Sequence, residues 1–191
     1  MQSGTPSKEP MNRDRPTPSS LAAASPSLTQ GLILLSVLIS GVPLYSAHAQ
    51  SIVTNGDVNP TVPSPPPSIW NIGGRLYVGQ TGTGTLSIAD GSIVNISNGY
   101  VGQAFGSYGV AAVSGTGSAW NAAGSFYIGH YGTGTLSVTE GGLVSSRDGN
   151  IGDNAQSIGT ATVAGAGSAW TNTRNAYVGT SGIGTVFIED G

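Results

Sequence analysis

A thirteen-residue stretch returns in this chain at a constant spacing of fifty residues, and this repetition constrains the fold more than any other feature. The first copy, LYVGQTGTGTLSI, begins at Leu76, and related copies begin at Phe126 and Ala176. A fixed period of this size, kept without insertions, is typical of proteins built from stacked copies of one unit. The chain is therefore predicted to be a repeat protein.

A second and shorter period lies inside the first. The Tyr-Val-Gly signature, or a close variant of it, begins at five positions: Tyr77, Tyr100, Tyr127, Asn150 and Tyr177. A shorter interval, as from Tyr77 to Tyr100, alternates with a longer one, as from Tyr100 to Tyr127. Each fifty-residue repeat is therefore predicted to contain two unequal turns of about 25 residues, a size that is usual for one unit of a solenoid.

Each predicted turn contains three short runs of residues that favour β-strands. These runs are 76–78, 85–88 and 92–96 in the first turn, and 99–101, 110–113 and 118–121 in the second. Gly, Asn, Asp and Ser separate the runs and favour tight corners, and no segment has the apolar period of a helix. The predicted fold is all-β: a right-handed parallel β-helix, with two turns per repeat. A β-propeller fits poorly, because its blades need four strands each.

Alternation within the central run of each repeat predicts which residues face the core. The apolar residues expected inside are Leu86, Ile88, Leu136, Val138, Val186 and Ile188. The hydroxylated residues expected outside are Thr85, Ser87, Thr135, Ser137 and Thr185. In a parallel solenoid, equivalent residues of successive turns lie above one another, about 4.8 Å apart.

Charge is sparse and unevenly distributed. Only 8% of the residues are charged, there is no cysteine, and residues 50–191 contain three arginines, seven acidic residues and no lysine. A nucleic-acid partner is not expected, because phosphate binding needs a basic surface. The lack of cysteine excludes disulfides and thiolate metal ligands.

The first 49 residues are predicted to be a signal peptide with a long n-region. An uncharged apolar segment, 31–42, is too short for a comfortable membrane span and is followed by Ala47-His48-Ala49, a small-x-small cleavage signal. Cleavage is expected between Ala49 and Gln50. Translation from Met11 instead of Met1 would shorten the leader, and an uncleaved anchor is the alternative interpretation.

Residues 50–68 contain five prolines and are predicted to form an extended spacer, which would also cover the open edge of the following sheet. Residues 69–191 are assigned to the solenoid. The last residue, Gly191, falls within a turn equivalent to Gly141, so we interpret the chain as truncated at its C-terminus, either as a piece of a longer protein or as a truncated gene product.

The repeated Tyr-Val-Gly-x-x-Gly-x-Gly-Thr-Leu-x-Ile, followed by Gly-x-Gly-Ser-x-Trp, resembles the repeat of bacterial autotransporter (type V secretion) passengers and PEP-CTERM-associated surface proteins. The resemblance covers 69–191. It implies an exported protein of a Gram-negative bacterium, located at the cell surface, in the outer membrane or outside the cell. It also implies host or neighbouring-cell surfaces as partners, glycans among them, and a translocator β-barrel in full-length relatives.

Two sets of aromatic residues recur with the repeats. An outward column is expected from Tyr77, Tyr100, Tyr127 and Tyr177, interrupted by Asn150. Stacking between turns is the preferred role, with sugar binding as the alternative. Trp70, Trp120 and Trp170 recur in every second turn and are expected to pack over smaller residues of the turns between them.

Acidic residues recur at one position of the repeat. Asp90, Glu140 and Asp190 each precede a glycine, which is typical of a turn, although inverting glycosidases also carry paired carboxylates about 6.5–9.5 Å apart. Because a catalytic site normally breaks a repeat pattern, no catalysis is expected. Asp148 and Asp153 lie in a Gly/Asp-rich segment that lacks the repeated calcium-binding nonapeptide.

His130 is expected to be a variable loop residue without a neighbouring carboxylate, and Gly82-Thr83-Gly84 lacks the lysine and helix of a phosphate loop. No cofactor or metal site is therefore predicted. The predicted function is a structural or adhesin-like passenger that acts through many weak contacts. An exopolysaccharide-associated matrix protein is the alternative, followed by a polysaccharide lyase or hydrolase.

Overall fold

The computed structural model describes residues 51–190. The predicted signal peptide, its cleavage site between Ala49 and Gln50, and Gly191 lie outside this range. The described part is all-β, without a helix, and its parallel strands stack into a β-solenoid whose turns have the expected length of roughly 25 residues. About five such turns are present. This confirms the predicted fold class and the division of each repeat into two turns.

Each turn contributes one strand to each of three sheets. The seven-residue strands of the first sheet are β5 (Thr83–Ala89), β8 (Tyr108–Ser114), β11 (Thr133–Thr139), β14 (Ile158–Ala164) and β17 (Ile183–Glu189). The second sheet contains β4 (Arg75–Val78), β7 (Asn98–Val101), β10 (Ser125–Ile128), β13 (Asp148–Ile151) and β16 (Ala176–Val178). The third contains β3 (Ile69–Asn71), β6 (Ile93–Ile96), β9 (Ala119–Ala122), β12 (Leu143–Ser146) and β15 (Ala169–Asn172).

The strands within each sheet pair in register, so that one outward or inward position forms a continuous column. Thr85, Val110, Thr135, Thr160 and Thr185 form one such column. Strand length and the strict period of two explain this register, because a slip of one residue would turn every apolar side chain toward solvent.

The core runs along the axis between the three sheets. Leu86, Ile88, Leu136 and Val138 are buried as predicted. Val186 and Ile188 belong to the same inward columns but are 38% and 77% exposed, because they lie on β17, the last strand that the structure describes. Each turn depends on its neighbours for burial of its inward face.

Residues 51–59, the first part of the predicted spacer, form two strands instead of an extended linker. Strands β1 (Ser51–Gly56) and β2 (Val58–Asn59) pair antiparallel with β5 and β4. Ile52 and Val58 are buried in the core, so this segment is part of the fold. Its antiparallel pairing covers the edges of two sheets, which would otherwise expose unpaired backbone groups. The repeat pattern could not reveal it, because β1 and β2 do not carry the repeat signature.

Candidate functional site

The second sheet carries an outward column of four tyrosines and one asparagine, which we call the tyrosine column. Its members are Tyr77, Tyr100, Tyr127, Asn150 and Tyr177, aligned by the pairing of β4, β7, β10, β13 and β16. The Tyr77 and Tyr100 rings stack with centroids 5.1 Å apart, and the Tyr100 and Tyr127 rings stack at 4.8 Å with an interplanar angle of 7°. Three parallel strands therefore present one continuous stack of rings to solvent.

The tyrosine stack shields its central member. Burial raises the pKa of Tyr100, partly offset by the positive charge of Arg75. Arg75 lies at the first turn of the column, where a hydrogen bond with Tyr77 raises the pKa of its guanidinium. The Tyr100 phenol thus remains a neutral hydrogen-bonding group at physiological pH, with one arginine at the edge of the stack.

The column is interrupted at Asn150. The Asn150 side chain is only 8% exposed, and its Nδ2 donates a hydrogen bond to the carbonyl oxygen of Phe126 at 3.2 Å. The amide therefore lies against the backbone of the neighbouring strand, and the ring that the other turns carry at this position is missing from this turn. An open cleft of about 450 Å³ lies here, with Tyr127 and Tyr177 among its lining residues. We call it the tyrosine gap.

Arginine side chains line the same cleft. Arg147 Nε lies 2.9 Å from Asp148 Oδ2, and Asn175 Nδ2 donates to Asp148 Oδ1 at 3.2 Å. These contacts, the one with Arg147 first, lower the pKa of the Asp148 carboxyl. Arg174 stands one turn beyond Arg147, with its backbone N–H bonded to the Arg147 carbonyl at 2.9 Å. Within residues 51–190, no hydrogen bond or ion pair joins the Arg174 guanidinium to another side chain.

His130 has a carboxylate neighbour, contrary to the sequence prediction. Its Nδ1 lies 3.0 Å from Asp153 Oδ2, and Asn154 Nδ2 donates to the same carboxylate oxygen at 3.1 Å. The histidine ring also meets the rings of Tyr127 and Tyr131 edge-on, at 4.7 and 4.5 Å. The sequence signal was available: His130 and Asp153 both follow the signature glycine of their turns by one residue, so the register stacks them.

This pair does not form a recognisable metal site. The Asp153 carboxylate already contacts His130 and Asn154. The Asp148 carboxylate already contacts Arg147 and Asn175. Within the part of the chain that the structure describes, no three or more His, Cys, Asp or Glu residues lie close enough together to hold a metal ion.

The tryptophans lie inside the solenoid. Trp70 and Trp120 are 6% and 0% exposed, and Trp170 is partly buried against the core. In the third sheet they alternate with Val94 and Val144 along one inward column, so each large ring packs between smaller residues. Their position makes them core residues, and Trp170, near the last described strands, remains partly exposed.

The repeated acids occupy left-handed turns. Asp90, Glu140 and Asp190 have φ angles of 54°, 55° and 51°. All three side chains are exposed. A positive φ followed by glycine is typical of a tight turn, and Asp tolerates this conformation better than most residues.

The first sheet presents a different surface, with hydroxylated side chains on most outward positions. Thr135 and Thr160 face each other across β11 and β14, as do Ser137 and Thr162. Tyr108, Val110 and Ile158 interrupt these hydroxyl columns and are 56%, 46% and 42% exposed. The outward face of this sheet is thus of mixed hydroxyl and apolar character, with little charge.

No protein-family model, curated protein or solved structure matches this chain. Over residues 51–190, the structure contains no helix long and apolar enough to cross a membrane. The β-solenoid fold is compatible with a structural or adhesin-like repeat protein.

Proposed function

We propose that this chain is an exported, non-catalytic passenger whose β-solenoid holds an extended interaction surface away from the cell. The observation that carries the proposal is the register of the outward columns. Five consecutive turns place equivalent side chains above one another, and the tyrosine column continues over β4, β7 and β10 without a change of residue. A surface of this kind offers the same weak contact several times along one line.

Repetition turns weak contacts into a useful affinity. Each stacked turn adds another contact at a fixed spacing of about 4.8 Å, and linked contacts gain strength from their high effective concentration. The low charge of the chain, 8% of residues, suits neutral or hydroxyl-rich partners such as cell-surface glycans. The leader-like segment before Gln50 and the resemblance to autotransporter and PEP-CTERM-associated repeats support export to the surface of a Gram-negative cell.

The tyrosine column also favours a second candidate, an exopolysaccharide-associated matrix protein. Exposed aromatic rings stack on the apolar faces of sugars as well as on one another. Both candidates use the same surface and differ in where the partner is: on another cell for the adhesin, and in the secreted matrix of the same cell for the alternative.

Location and adhesion test the proposal together. Mass spectrometry of the protein recovered from intact producing cells should give Gln50 as the first residue, and an antibody against the solenoid should label unpermeabilised cells. Beads coated with the purified chain should adhere to neighbouring cells or to isolated exopolysaccharide. A protein that keeps residues 1–49 and is labelled only after permeabilisation would contradict export. Adhesion only to the producer's own matrix would select the second candidate.

A further inference from the structure

The tyrosine gap stands out because it combines a missing ring with a cation that no acid neutralises within residues 51–190. Tyr127 and Tyr177 lie two strands apart, about 9.6 Å at the usual strand spacing, and Asn150 lies between them. A flat ring placed midway would stand about 4.8 Å from each tyrosine, which is the separation that Tyr100 and Tyr127 already adopt. The gap is therefore the place in the tyrosine column where the ring that the first three turns carry is missing.

The floor and walls of the gap are polar. Its lining includes Asn150 and Ser125, which are largely buried, and Asn175, which is exposed. The Asn150 amide donates one hydrogen to the Phe126 carbonyl and retains a carbonyl oxygen and a second hydrogen. An aromatic hydrocarbon would leave these groups unpaired, whereas a ring that carries hydroxyl groups would satisfy them.

Charge specifies the ligand further. Residues 51–190 contain three arginines, and two of them line this cleft. Arg147 is neutralised by Asp148 at 2.9 Å, but Arg174 is not paired with an acid in the described part of the chain. The cleft therefore carries a net positive charge in a chain whose formal net charge is −3. A guanidinium binds a carboxylate with two parallel hydrogen bonds, so a carboxylate on the ring would complete the site.

We propose that the tyrosine gap is a binding site for a carboxylated pyranose, a uronic acid residue of an acidic glycan. The sugar ring stacks between Tyr127 and Tyr177, its carboxylate binds Arg174, and its hydroxyl groups bind Asn150 and Asn175. This inference rests on the proposed function and names the kind of glycan that the surface selects. The cleft volume of about 450 Å³ lies in the range of small-ligand sites, roughly 300–1,000 Å³.

Asn150→Tyr is the most direct test, because it completes the tyrosine column and closes the gap with the side chain that other turns use. The full chain is titrated in solution with a tetramer of glucuronic acid and with a glucose tetramer of equal length. The parent chain should bind the acidic tetramer about tenfold more tightly than the neutral one. Asn150→Tyr should remove binding of both while the circular dichroism spectrum of the solenoid remains.

Arg174→Gln tests the role of the unpaired guanidinium separately, and it does so even if Asn150→Tyr fails to fold. This variant should bind the acidic tetramer about tenfold more weakly and retain the parent's affinity for the neutral tetramer. Arg75→Gln is the matched control, because Arg75 lies beside the same column but outside the gap. The Arg75→Gln variant should bind both tetramers as tightly as the parent does.

Two results would overturn the site: equal affinity of the parent for both tetramers, or unchanged binding of the acidic tetramer by Arg174→Gln. These solution measurements use single soluble ligands and do not depend on export or adhesion. Uronate binding by a chain that is not displayed would refute the proposed function alone. Display and adhesion without uronate binding would refute this site alone.

Discussion

The ring of Phe126 occupies the space that a side chain at Gly99 would fill. The two residues are paired in neighbouring strands, and a Cβ atom added to Gly99 would lie 2.6 Å from Phe126 Cδ1 and nearer still to Cε1. The Phe126 ring also meets Trp120 edge-on at 4.6 Å. The core thus packs by alternation, with a small residue in one turn making room for a large one in the next.

Gly99→Ala should therefore destabilise the solenoid by about 1–3 kcal/mol, the usual cost of overpacking a core. Phe126→Leu should relieve the clash, so the double variant should be at least about 1 kcal/mol more stable than the sum of the single effects predicts. Chemical denaturation of the four proteins measures this coupling. Simple additivity would contradict the packing relationship.

The glycine that ends the Tyr-Val-Gly or Tyr-Ile-Gly signature has a distinct role in the backbone. Gly129 has a φ of +71°, and a Cβ there would press against the carbonyl of Ile158 in the next turn. Gly106 has a similar φ of +75° but no atom within 4 Å of a Cβ. Gly106→Ala should therefore lower the free energy of unfolding by about 1–2 kcal/mol, because of its left-handed backbone alone. Gly129→Ala should lower it by at least about 2 kcal/mol more, because its Cβ also clashes with the Ile158 carbonyl. Equal denaturation midpoints for the two variants would refute this explanation of the motif.

The N-terminal segment is held by a carboxylate. Asp57 Oδ2 accepts hydrogen bonds from the backbone N–H groups of Thr81 and Gly82, both at 2.6 Å. In the turn that contains His130, the equivalent N–H groups of Tyr131 and Gly132 bond to carbonyls of the preceding turn. Asp57 therefore supplies the acceptors that the first turn lacks.

These hydrogen bonds, that of Gly82 first, lower the pKa of Asp57 below its usual value of 3.8. A lowered folded-state pKa contributes stability that is present above the unfolded pKa and lost as the pH falls through the folded one. Asp57→Asn should lower the free energy of unfolding by about 1 kcal/mol at pH 7, and the backbone amides of Thr81 and Gly82 should exchange hydrogen faster. The difference from the parent should shrink below pH 4. A constant difference down to pH 2 would contradict the role of the carboxylate.

A charge placed in the core should disrupt several turns together. Leu136 is fully buried in β11, and its neighbours in β8 and β14 are Ala111 and Ala161. Leu136→Asp should lower the free energy of unfolding by more than about 4 kcal/mol, because the buried carboxylate has no partner. Neighbouring turns should unfold with it, because stacked turns stabilise one another. Ser137→Asp, on the outward side of the same strand, is the control and should change stability by about 0.5 kcal/mol or less. An unchanged melting curve for Leu136→Asp would contradict the solenoid core.

Much of the architecture follows from the repeat. The alternation of a shorter and a longer interval between signatures places Tyr77 above Tyr100, and Trp120 between Val94 and Val144, once the strands are parallel and in register. The turn acids recur every second turn because one fifty-residue repeat spans two turns. These features are local or periodic, so an alternating apolar pattern and a set of corner residues are enough to predict them.

Other features depend on contacts that the repeat spacing does not predict. Residues 51–59 pair antiparallel with the first turn, and their place in the core depends on where the chain reverses, not on a repeated motif. The contact of His130 with Asp153 follows from register, but its 3.0 Å distance depends on how two loop side chains turn toward each other.

The sequence by itself determined the stacked β-solenoid, its two turns per repeat and the tyrosine column, because strand period and repeat spacing leave one register that buries the apolar residues. Only the tertiary structure decided what the interruption at Asn150 means. The Asn150 amide bonds to the Phe126 carbonyl of the neighbouring strand, and a cleft lies here with Tyr127, Tyr177 and Arg174 among its lining residues, Arg174 being unpaired within residues 51–190. Side-chain direction and the neighbours of a charge are set by packing in three dimensions, and a residue letter in a repeat does not specify them.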